Sequence, residues 1–133
     1  MEVEPMTIYK LKLDIRFWQD VKSGKKNWEI RNNDRDFHSG DILKLRAFRN
    51  GQYVRWSKNK RKWGHTTARK AETITVKVTT LIRAQALNEG EWDNDTLEVM
   101  QTISWSDVMI TLVEYFDTDY FPERYVLMKI SVL

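Results

Sequence analysis

The chain has no cysteine, two prolines, five glycines and two histidines among its 133 residues. Without cysteine there is neither a disulfide framework nor a thiolate metal site. Two histidines do not by themselves make a three-ligand site, and no Asp/Asn-rich loop of the calcium type is present. No metal and no cofactor are therefore expected. No stretch approaches ~18 consecutive apolar residues, so no transmembrane helix and no membrane role are expected. The opening MEVEPMTIYKLKLD carries early acids and no unbroken apolar run, unlike a signal peptide, and a cytoplasmic location is expected. The P-loop, the dinucleotide fingerprint, HExxH and GxSxG are all missing.

What the chain does have is tryptophan and segregated charge. Six tryptophans are many for one domain of this length, and a single domain over 1–133 is the expectation. Residues 42–71 hold ten basic residues and no acid, whereas residues 86–124 hold ten acids and a single base, Arg124. Two surfaces of opposite sign are expected rather than one evenly solvated shell. They correspond to a basic loop at 49–72 and an acidic helical insertion at 86–123. The acidic part, with Glu89, Glu91, Asp93 and Asp95, is a candidate face for a protein partner.

Periodicity places the elements. IYKLKLD (8–14) alternates as a half-buried strand, and IRFWQDVKSG (15–24) reads as a short helix with Phe17, Trp18 and Val21 at helical spacing. NWEIR (27–31) is a strand with Trp28 and Ile30 on one face and Asn27, Glu29 and Arg31 on the other. ILKLRAF (42–48) alternates again, and Asn50-Gly51 is a strong hairpin signal. Residues 57–72 lack any apolar period and read as a long loop. TITVKVTTLI (73–82) is β-branched strand. Thr96–Ile103 reads as a helix, and Ser104 or Ser106 caps another that runs to about Phe116 with Val108, Leu112 and Tyr115 as its buried stripe. RYVLMKISVL (124–133) is the closing strand. The pattern predicts an α+β fold, a small mixed β-barrel with two or three inserted helices.

Two stretches carry candidate chemistry. In the first, Lys25, Lys26, Asn27, Glu29, Arg31 and Arg35 surround one strand. Lys26, Glu29 and Arg31 are expected to converge on a cleft, where Arg31 offers a fork for a phosphate, a base edge or a carboxylate. Lys26 and Glu29 form an acid–base pair if the chain is an enzyme. In the second, Arg55, Trp56, Lys58, Lys60, Arg61, Lys62 and Trp63 interleave cations with flat indoles. Cations attract a phosphate backbone and indoles stack on unpaired bases, which points to RNA, another single-stranded nucleic acid or a nucleotide. His38 and His65 read as ordinary loop histidines.

The string SGKKNWEIRNNDRDFHSGDILKLRAF (23–48) resembles the signature of ASCH domains, a superfamily with the PUA-like barrel fold. Gly24, Lys26, Glu29 and Arg31 match its G-x-K-x-x-E-x-R strand, and Ser39-Gly40-Asp41-Ile42-Leu43 matches its turn. The lead-in resembles an uncharacterised phage and bacterial branch. The resemblance implies a cleft for RNA or a modified nucleotide, lined by Lys26, Glu29 and Arg31. Some similar proteins are hydrolases, of a ribonuclease or an acylcytidine amidohydrolase type. The deacetylating group carries a Thr where this chain has Glu29. A phage-type inhibitor that binds a host protein through its acidic face is the remaining alternative.

Overall fold

Leucines and valines at alternate positions fix the first part of the sheet. The computed structural model describes residues 6–90 and 92–133. Strand β1 (Ile8–Asp14) runs parallel to β3 (Ile42–Arg49), with Leu11 opposite Leu45 and Leu13 opposite Ala47. On its other side β3 pairs antiparallel with β6 (Thr73–Arg83), which sets Leu43 against Val76 and Leu45 against Ile74. All of these side chains are buried, together with Val21 and Val54. One face of three adjacent strands is thus apolar, the arrangement that a period of two demands.

The chain divides into two compact units. The first comprises Met1–Lys26, Gly40–Lys77 and Ser131–Leu133, and the second comprises Asn27–Ser39 and Val78–Ile130. In the first, β3 continues through a hairpin into β4 (Gln52–Ser57), which pairs with β5 (Lys62–His65). Asn50 and Gly51 at the hairpin have φ of +49° and +79°. Two successive positive φ values define the type I′ turn that suits strand twist, and only Gly occupies the second without strain. Gly51→Ala is expected to cost at least about 1 kcal/mol, read as a lower denaturation midpoint.

The basic stretch at 57–72 is not the aperiodic loop its composition predicts. Residues 62–65 form β5, and Ala68–Lys70 make a short 3-10 turn. The reason is a cross-strand pair: Trp56 lies directly opposite Trp63, and Val54, fully buried, lies opposite His65. Aromatic pairs of this kind hold a hairpin together without any apolar period in its second strand.

In the second unit, β2 (Trp28–Asn32) pairs antiparallel with β7 (Tyr125–Val132), and β7 lies beside β6. Three helices follow β6: α2 (Ala84–Glu89), α3 (Asn94–Thr102) and α4 (Trp105–Phe116). Asp93 caps α3 by accepting from the Thr96 amide, and Ser104 caps α4 by accepting from that of Asp107. The Asp93 carboxyl sits below its ordinary value, chiefly because the Thr96 backbone amide donates to its charged form. The core joins Trp28, Ile30, Ile82, Leu87, Val108 and Leu112. The buried stripe of α4 is Val108 and Leu112 with Phe116 half-buried, whereas Tyr115 is 42% exposed. At 100° per residue the half-buried Trp105, Met109 and Phe116 centre the stripe to one side of Val108, and Tyr115 falls just beyond its opposite edge. Helix α1 (Trp18–Lys22) belongs to the first unit. The fold is mixed α+β, and among the described residues no helix is long and apolar enough to cross a membrane.

Candidate functional site

Asp14 begins the local construction of the site. Its side chain accepts from the Arg16 backbone amide at 2.9 Å and from the Arg16 guanidinium at 3.0 and 2.7 Å. Burial pushes the Asp14 carboxyl up, but the hydrogen bonds and charge of Arg16 outweigh it and leave the group below its ordinary value. This cap starts the 3-10 turn Ile15–Phe17, which runs straight into α1. Gly24, at φ +83°, then turns the chain out of the helix. The short helix presents Trp18, Gln19 and Lys22 on one side, since residues one, three and four apart span a single exposed arc.

These three side chains and Ile15 wall a pocket of about 360 Å³, completed by Trp56, Lys58, Trp63 and Glu72. All of them lie in the first unit. Trp63 is at its centre. Its ring centroid is 5.4 Å from that of Trp18 and 5.5 Å from that of Trp56, and both neighbours meet it edge to face. Glu72 is pinned through its backbone: its amide donates to Val54 and its carbonyl accepts from Ala47. The Arg55 Nε stands 3.9 Å from the Glu72 carboxylate, a loose and solvent-exposed pair. The size fits a small ligand. The lining combines three flat rings with two ammonium groups and a single carboxylate, so it favours an anion that carries a planar group.

Of the cations and indoles singled out in the basic stretch, Trp56, Lys58 and Trp63 are brought together here. Lys60 and Arg61 are exposed in the turn between β4 and β5, and Lys62 is exposed at the start of β5. Trp18, Gln19, Lys22 and Glu72 were not legible as site residues. Trp18 reads as part of a helical core stripe, yet it is only half-buried and forms a wall.

Residues 27–31 belong to the second unit, and Lys26 belongs to the first. In the second, the Arg31 Nε donates to a Glu29 carboxylate oxygen at 3.0 Å, and Glu29 is buried. The Asn27 side-chain amide donates to the Thr102 carbonyl at 2.9 Å, which closes the end of α3. In the first, the Lys26 ammonium lies 4.9 Å from the centroid of the Phe17 ring, a cation–π contact. Lys25 and Arg35 are exposed. His38 is more than half exposed, with its Nε2 3.9 Å from Asp36, and His65 is exposed on β5. In the acidic segment, Glu89, Asp93 and Asp95 are exposed, and Glu91 lies outside the described residues. Among the described residues no three His, Asp or Glu side chains are grouped to hold a metal ion.

A family model described as Domain of unknown function (DUF3850) matches residues 8–90. The chain belongs to this family. Every residue that lines the tryptophan pocket falls inside the matched span, and α3, α4 and β7 fall beyond it. A solved structure, the crystal structure of hypothetical protein PH0355, is 17% identical. It covers 96% of this chain and 100% of its own, with a TM-score of 0.49. No curated protein matches the chain.

Proposed function

We propose that the protein binds a nucleotide or an unpaired base of RNA in the tryptophan pocket of its first unit. The observation that carries this reading is the convergence of Trp18, Trp56 and Trp63 with Lys22 and Lys58 on one cavity. An indole face stacks on any base, and the ammonium groups supply the phosphate contact. Trp56 is 41% exposed, so apolar ring surface is already presented to solvent. Membership of the ASCH superfamily, with its PUA-like barrel, is part of the same reading and rests on the match of Gly24, Lys26, Glu29 and Arg31 to that motif.

Binding without chemistry is favoured over hydrolysis. Glu29, the candidate acid or base, is buried and engaged by Arg31, the geometry of a structural ion pair. Intrinsic fluorescence tests the proposal directly, because three of the six tryptophans surround the ligand. Titration with uridine, cytidine, adenosine and guanosine monophosphates is expected to quench emission saturably, with modest preference among the bases. Emission unchanged up to millimolar nucleotide, with the protein folded by circular dichroism, would remove the pocket from consideration.

A further inference from the structure

The outer face of the first unit's sheet has no part in the tryptophan pocket. Lys10 on β1 lies directly opposite Lys44 on β3, and Lys12 lies opposite Arg46. On the other side of β3, Thr75 faces Lys44, Thr73 faces Arg46 and Lys77 of β6 faces Ile42. Paired positions share a face, as do alternate positions along a strand. Lys10, Lys12, Lys44, Arg46 and Lys77 therefore project from the side opposite the buried Leu11, Leu43, Leu45 and Val76. Phe48 and Tyr53, paired at the end of this face, meet edge to face at 5.2 Å, and the Lys12 ammonium rides 4.7 Å over the Phe48 ring. The β1 carboxylate of the same parity, Asp14, is already held by Arg16 at 2.7 Å.

Like charges set directly opposite on neighbouring strands oppose sheet pairing. Here two such pairs occur in succession, and β6 adds a fifth cation with threonines rather than carboxylates beside β3. The apolar face beneath holds the strands in register regardless. Cations repeat about 6.6–6.8 Å along each strand and stand about 4.8 Å apart between strands, a fixed two-dimensional array. Its complement is a flexible chain of evenly repeated anions.

We infer that this sheet face is a second binding surface, which takes the phosphodiester backbone of single-stranded RNA apart from the base pocket. The inference shares with the proposed function only the class of ligand, and its residues line no part of that pocket. The test measures the full chain binding a short oligouridylate across a salt series, beside UMP alone. The K44Q/R46Q/K77Q variant is expected to lower the log–log salt slope by about 2, from about 0.7 per removed charge. Its UMP affinity should stay within about twofold, with the variant folded by circular dichroism. If the triple variant does not fold, the three single variants carry the test, each with a slope change of about 0.7. An unchanged slope in folded variants overturns the inference while UMP binding still upholds the pocket. Conversely, a reduced slope with no UMP binding upholds the face and overturns the pocket, and failure to bind either probe overturns both.

Discussion

Arg31→Ala is expected to cost about 3–5 kcal/mol of folding stability. The partner's burial is the cause. The Glu29 side chain is 5% exposed, against 26% for Arg31, and the two meet at 3.0 Å. They sit two residues apart on β2, where Glu29 pairs with Met128 and Arg31 with Val126 of β7. A carboxylate held in the sheet interior has given up most of its hydration, and removal of the guanidinium takes away a charge that compensates it at hydrogen-bond distance. Glu29→Gln is expected to be milder, about 1–3 kcal/mol, because an amide needs no counter-charge and Arg31 retains access to water. Replacing both with apolar residues, Glu29→Leu with Arg31→Met, should lose less than Arg31→Ala alone. Urea denaturation of the four proteins gives the comparison. A loss under about 1 kcal/mol for Arg31→Ala would mean that the pair carries little of the strand's stability.

Trp63→Ala is expected to weaken nucleotide affinity by roughly 5- to 150-fold, the equivalent of one stacking contact at about 1–3 kcal/mol. The central ring also supports its neighbours, since Trp18 and Trp56 both meet it edge to face. Each such contact contributes about 0.5–1.5 kcal/mol beyond burial, so the variant should also be less stable. Trp63→Phe separates the two effects. It keeps an aromatic face in β5 and should recover most of the stability, with affinity within about tenfold of the parent. Calorimetry well below the melting midpoint reads both variants as folded proteins. Parent-like affinity in a folded Trp63→Ala would show that the ligand, if any, binds elsewhere.

The parts of the fold that sequence reveals are those in which one face is buried and the other is wet. β1, β3 and β6 alternate cleanly, and Leu11, Leu43, Leu45 and Val76 are buried where period two puts them. The hairpin at Asn50-Gly51 announces itself through turn chemistry. β2 is less transparent: Trp28, Glu29 and Ile30 are all buried, so both faces of the strand are covered there. Alternation assigns Glu29 to a polar front, and nothing local reveals that the front is closed. β5 carries no apolar period and is held by the partner strand, a contact that no window of neighbouring residues contains. α2 is six residues long, with Ala84 and Leu87 its buried positions, too brief to register as a helical pattern. Three of the eight residues that line the pocket were legible, because Trp56, Lys58 and Trp63 stand close together amid basic charge. The other five are Ile15 of the 3-10 turn, Trp18, Gln19 and Lys22 of α1, and Glu72, and only the fold joins residues so far apart in sequence.

β6 is a single strand of eleven residues whose first part belongs to one unit and whose second part belongs to the other. Neither unit is contiguous in the chain, and both draw on the final segment: the second contains most of β7, and the Leu133 amide of the first donates to Thr75 at 3.0 Å. The second unit therefore cannot close until β7 has been synthesised. Until then the nascent chain must keep its unpaired strand edges apart. Long-range pairing of this kind slows folding.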